Sequence, residues 1–111
     1  MPRPAKPEIV AWLEGELAPL GGVSAKRFFG GWDLRQDGGQ FAIVMEGTLY
    51  LKVNDDLRAR LLGEGGRTFR YDKTQSTVTV AKYVSVPETV LDDPDTLRDL
   101  AREAIRAFCG T

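Results

Sequence analysis

The sequence predicts an α+β fold, a two-layer sandwich of order α-β(3)-α-β(2)-α in which helices cover one face of a mainly antiparallel sheet. Three observations carry that prediction. Apolar residues recur at helical spacing in three segments, near the start, in the middle and at the end of the chain. Between them lie runs that alternate apolar and polar residues with period two, as half-buried strands do. Glycine-containing turns too short for a crossover separate those runs, so consecutive strands must pair antiparallel.

The first helix follows three prolines, Pro2, Pro4 and Pro7, which mark residues 1–6 as an extended lead-in and Pro7 as the first helical residue. Val10, Leu13, Leu17 and Leu20 form its stripe, and Pro19 disfavours helical geometry at Ala18. Val23 to Phe29 reads as a strand, Gly30-Gly31 as a bulge or tight bend, and Trp32 to Gln36 as its continuation or a further strand. Asp37-Gly38-Gly39 is a hairpin turn, because glycine adopts positive φ without steric cost. Phe41, Ile43 and Met45 then share one face and Ala42 and Val44 the other; Glu46-Gly47 turns the chain, and Leu49, Leu51 and Val53 alternate with Thr48, Tyr50 and Lys52.

Asn54 is suited to cap a second helix, with Asp55 and Asp56 complementing its dipole, Leu57, Leu61 and Leu62 forming its stripe and Gly63 ending it. Thr68 to Tyr71 and Ser76 to Val86 are two more strands, closed by Pro87. Asp93 caps a last helix beginning at Pro94. Leu97, Leu100, Ala101, Ala104, Ile105 and Phe108 make a full apolar face there, and Gly110 terminates it. Residues 7–111 therefore read as one domain, the size a chain of 111 residues supports.

Charge and composition exclude more than they assign. Fifteen basic against sixteen acidic residues give a net charge of -1 and a pI near 5.4, which disfavours a whole-surface nucleic-acid binder. Histidine is absent, removing the commonest general base and metal ligand. Cys109, the single cysteine, excludes an intramolecular disulfide and suits a reducing cytoplasm; beside a helix C-terminus its thiol is not activated. Neither phosphate-binding glycine motif occurs, and the paired glycines fall at element boundaries. Asp55-Asp56 and Asp92-Asp93-Asp95 precede helices, where carboxylates act as caps. No signal peptide or membrane span is visible. The residues thus point to no catalytic group, no metal and no cofactor.

The polar strand residues are the candidates for binding. Lys26 and Arg27 precede Phe28-Phe29-Gly30-Gly31-Trp32, interleaving cations with aromatics, and Tyr50 and Lys52 share one hairpin face. Lys26, Arg27, Trp32, Tyr50, Lys52 and Tyr83 form the candidate surface, with Arg27, Trp32, Tyr50, Lys52 and Tyr83 expected to line one concavity. The same residue types also serve as ordinary solvent-facing strand positions. Lys82 conflicts with its parity partners Val78, Val80, Val84 and Val86; a bulge near Ala81, or an aliphatic stem with its ammonium in water, removes the conflict.

Three segments together resemble the N-terminal domain of the TfoX/Sxy family of bacterial competence regulators. They run from Leu17 through Arg27-Phe-Phe-Gly-Gly-Trp32, from Phe41 through Leu49-Tyr-Leu-Lys-Val53, and from Tyr83 to Pro94. Val84 stands where the family often has a second aromatic, and Asp33 where a small residue is common. The resemblance implies an α-β-β-β-α-β-β-α sandwich and a bacterial, non-enzymatic protein. The functional expectation is a small cytoplasmic interaction module acting through protein contacts, in transcriptional or competence regulation. The alternative is binding of nucleic acid or a small anionic ligand through the local basic and aromatic patch. No membrane partner is expected, and an uncapped edge strand offers a route to a homodimer.

Overall fold

A computed structural model describes residues 7–108. The lead-in expected over residues 1–6, Cys109 and the terminating Gly110 lie outside the described residues. The elements are α1 (Glu8–Leu17), β1 (Val23–Phe28), β2 (Gly31–Gln36), β3 (Gly39–Met45), β4 (Thr48–Lys52), α2 (Asp55–Gly63), β5 (Thr68–Lys73), β6 (Ser76–Ser85), the single turn α3 (Glu88–Leu91) and α4 (Pro94–Phe108). The sheet is six-stranded in the order β1-β2-β3-β4-β6-β5, and every neighbouring pair is antiparallel. The fold is α+β, as its periodicities predict, with a fourth strand ahead of α2: Phe29-Gly30 is a true hairpin turn rather than a bulge within one strand.

One hydrophobic core joins the four helices to one face of the sheet. Val10, Leu13 and Leu17 of α1, Leu57 and Leu61 of α2, Val90 of α3, and Leu97, Leu100, Ala101, Ala104 and Ile105 of α4 close over Leu34, Ala42, Val44, Leu49, Leu51 and Val84. Leu62, expected in the α2 stripe, is exposed instead. Capping follows the sequence closely. The Asn54 side chain accepts from the Leu57 amide at 2.9 Å, and Asp93 accepts from the Thr96 amide and hydroxyl at 3.3 and 2.9 Å. Those contacts to Thr96, the hydroxyl first, hold the Asp93 carboxyl below the usual carboxylate range. Helix α2 runs through Gly63, and the left-handed residue that follows it is Gly65.

Two irregularities shape the other face. Leu34 pairs with Ala42 but Arg35 with Gln40, so Phe41 is an extra residue. The bulge turns Phe41 into the helix-side core beside Ala42, leaving Ile43 and Met45, its expected face-mates, on the opposite side. The second irregularity lies where Thr68 pairs with Val84 and Phe69 with Val80, so Ala81, Lys82 and Tyr83 oppose a single step of β5. Of the two resolutions open to Lys82, the bulge near Ala81 is the one that forms. Val84 and Val86 enter the core, Val80 lines the opposite face, and Lys82 is exposed.

Candidate functional site

The helix-free face of the sheet is concave. Strands β1 and β5 are its two edges, about 24 Å apart if six strands lay flat at ~4.8 Å spacing. Yet Phe28 at the end of β1 and Tyr71 of β5 line the same cavity, of about 430 Å³. Strand twist and the two bulges coil the sheet enough to bring its edges together. Ile43 and Met45 of β3 share the lining with Phe69 of β5 and with Val80, Lys82 and Tyr83 of β6. Phe69 is the hub of an aromatic cluster, its ring centroid 4.9 Å from Tyr50, 6.0 Å from Tyr71 and 6.3 Å from Tyr83.

Beside the groove lies a partly buried polar chain. The Tyr83 hydroxyl donates to Gln40 Oε1 at 2.6 Å, and Gln40 Nε2 donates to Asp33 Oδ2 at 3.3 Å. Arg35 donates to the same oxygen from Nε at 3.0 Å and from Nη2 at 2.9 Å. The Asp33 side chain is 1% exposed, so this pairing is what makes a carboxylate tolerable there. Its Oδ1 has no hydrogen-bond partner among the described residues. The Asp33 contact raises the Arg35 pKa further, chiefly through the hydrogen bond. Burial, then the Asp33 charge, raises the Tyr83 phenol above its ordinary value; burial, then Glu46, does the same for Tyr50.

Three two-residue hairpins connect β1 to β4, and all three use the same left-handed turn. Their central residues are Phe29 (φ 42) and Gly30 (φ 82), Asp37 (φ 50) and Gly38 (φ 90), and Glu46 (φ 52) and Gly47 (φ 79). Positive φ at both positions is the type I′ geometry that suits strand twist and favours Asn-Gly or Asp-Gly. Phenylalanine is a poor choice there, and Phe29 is moreover 87% exposed, at the lip of the groove. After it, Gly31 has no room for a side chain: a Cβ would run into the Val44 carbonyl oxygen and Met45 Sδ.

A family model described as the TfoX N-terminal domain matches residues 16–108. The chain belongs to the TfoX N-terminal domain family. No curated protein matches it. In this TfoX N-terminal domain Arg27 to Trp32, part of one of the three segments that carry the resemblance, is the hairpin whose Phe28 and Phe29 line the groove.

The six residues singled out from sequence do not share one surface. Tyr50 and Tyr83 meet Phe69 on the concave side, and Lys26 is exposed on β1, directly cross-strand from Asp33. Arg27 and Trp32 belong to the other side: Trp32 packs against the helix-side core, with the Arg27 guanidinium 5.5 Å from its ring centroid. Lys52, the last residue of β4, reaches the C-terminal end of α4, its ammonium 4.9 Å from the Phe108 ring centroid. The expected single concavity thus keeps Tyr50 and Tyr83 and loses Arg27, Trp32 and Lys52. Phe28, Phe29, Met45, Phe69, Tyr71 and Lys82 take their place. Phe29 was detectable in the sequence as an X-Gly turn with the wrong X; the others depend on bulges that leave no local mark. Among the described residues no cluster of ligating side chains suits a metal ion, and no helix is long and apolar enough to cross a membrane.

Proposed function

We propose that this domain is a non-enzymatic regulatory module that docks a partner protein on the rim of its concave sheet face, with Phe29 as the anchor. The observation that carries the reading is Phe29 itself. A large apolar ring stands in water on a left-handed backbone, whereas the two sister turns place acidic residues at the same position. All the fold gains from phenylalanine there is an exposed edge-to-face contact with Phe28. Displayed aromatics near well-packed pockets are the residues that dominate protein interfaces. Membership of the TfoX N-terminal domain family supports a role in competence or gene regulation, and a single cysteine fits a cytoplasmic setting. Nucleic-acid binding has less support, because the net charge is -1 and Lys26, Arg27 and Lys52 are not gathered on one face.

Quantitative capture from a lysate of the source cells tests the proposal with three baits: wild type, Phe29→Asn, and Trp12→Ser on the exposed side of α1. A partner retained by wild type and Trp12→Ser but lost by Phe29→Asn supports it. Equal recovery of every protein by wild type and Phe29→Asn overturns it.

A further inference from the structure

We infer that the groove inside the concave face is a binding site for a small amphipathic anion, an apolar body carrying one carboxylate. The rim proposed above engages a protein; this site is the floor beneath it. Its volume, about 430 Å³, falls in the range of small-molecule pockets, roughly 300–1,000 Å³, which are apolar with a few placed polar groups. Met45, Phe69 and Val80 supply the apolar surface over the buried Ile43, and the wall carries one cation, Lys82.

Charge accounting selects the sign of the ligand. None of the lining residues is acidic. The Lys82 ammonium lies 5.5 Å from the Tyr83 ring centroid and forms no ion pair with any carboxylate among the described residues. Tyr83 donates its hydroxyl to Gln40, and Arg35 pairs with the Asp33 carboxylate behind it. The one charged residue in the lining is positive, so an anionic head is favoured over a neutral one, and a neutral one over a cationic one. Lys82 itself is exposed, so its contact with a carboxylate is a charge-assisted bond at the mouth of the groove, added to the apolar contact below it. The cavity of about 300 Å³ between α2 and α4 contrasts with it. There Arg60 is matched internally by Glu103 at 3.3 Å, and nothing selects a ligand.

Methyl NMR of the isolated chain, titrated with decanoate, decanol and decyltrimethylammonium, tests the site. The expected result is saturable shifts of the Ile43, Met45 and Val80 methyls with decanoate. Binding should be about tenfold weaker for decanol, the loss of one charge-assisted contact, and weakest for the ammonium. Lys82→Met keeps the apolar stem and should bring decanoate down to the decanol level. Absence of saturation, equal binding of the three head groups, or unchanged decanoate affinity in Lys82→Met would overturn the site. The head-group series needs no variant to fold, and no partner takes part. Failure here therefore leaves the Phe29-dependent capture standing, and failure of that capture leaves this site standing.

Discussion

Replacing Phe29 by asparagine should stabilise the fold while removing the anchor. Left-handed backbone costs an ordinary L-residue about 1–2 kcal/mol, and asparagine, whose short side chain bonds locally, avoids part of that. Asn-Gly is also the preferred pair for this turn, which Gly30 at φ 82 already completes. Against the gain stands the edge-to-face contact with Phe28 at 4.8 Å. Such a pair contributes about 0.5–1.5 kcal/mol when buried, but Phe29 is 87% exposed, which removes most of it. The net expectation is a gain of about 0.5 kcal/mol, or ~2–4 °C in Tm for a domain of this size. Thermal melts by circular dichroism measure it, with urea midpoints at unchanged m confirming that the native state moved. Glu46→Asn, in the same turn geometry, should gain a similar amount, and Asp37→Asn should be nearly neutral. A fall in Tm of more than about 4 °C for Phe29→Asn, the equivalent of ~1 kcal/mol lost, would show that the ring is a packing residue. It would refute the claim that it is displayed.

Gly31→Ala drives a methyl into the Val44 carbonyl and Met45 Sδ, so it should destabilise the domain by about 1–3 kcal/mol in urea denaturation; a neutral result would mean β2 and β3 are looser than described. Tyr83→Phe deletes the 2.6 Å hydrogen bond to Gln40 and should cost about 0.5–1.5 kcal/mol by the same measurement. Stability should also fall at alkaline pH. Tyr50 and Tyr83 keep their protons to higher pH in the folded state than in the unfolded chain. Their contribution is therefore complete below the unfolded pKa of about 10 and is lost as pH rises through the folded values. Phenolate absorbance and the urea midpoint, followed together, should change in step above that pH, and Tyr83→Phe should shallow the decline. An unaltered decline in that variant would contradict the assignment.

The three longer helices and the hairpin turns at 37–38 and 46–47 were legible in the sequence because their signals are local. Asn54 and Asp93 sit where caps must sit, Pro94 opens α4, and the X-Gly pairs at 37–38 and 46–47 specify their own turns. The face on which each strand residue lands was only half legible. A bulge changes parity by one residue, and whether it forms depends on the partner strand. Phe41 therefore entered the core while Ile43 and Met45 joined the groove. Lys82 was the exception, since a cation among four valines announces a parity conflict, and the bulge beside it resolves that conflict. The short α3 turn and the burial of Asp33 had no readable signal: Asp33 alternates correctly for a solvent-facing position, and only the coiling of the sheet encloses it. The same coiling makes the groove from two edge strands that the sequence leaves far apart. Phe29 read as the last residue of a strand because phenylalanine is not a turn residue, and the proposed anchor role rests on that misfit.

The central claim is that the concave face, entered at Phe29, is the working surface of the domain. Amide hydrogen exchange on the domain bound to its Phe29-dependent partner tests it most directly. The account predicts added protection at 28–31, at Met45 and over 69–71, with the exposed faces of α1 and α4 unchanged. Protection confined to those helices, with the β1–β2 hairpin still exchanging freely, would contradict it.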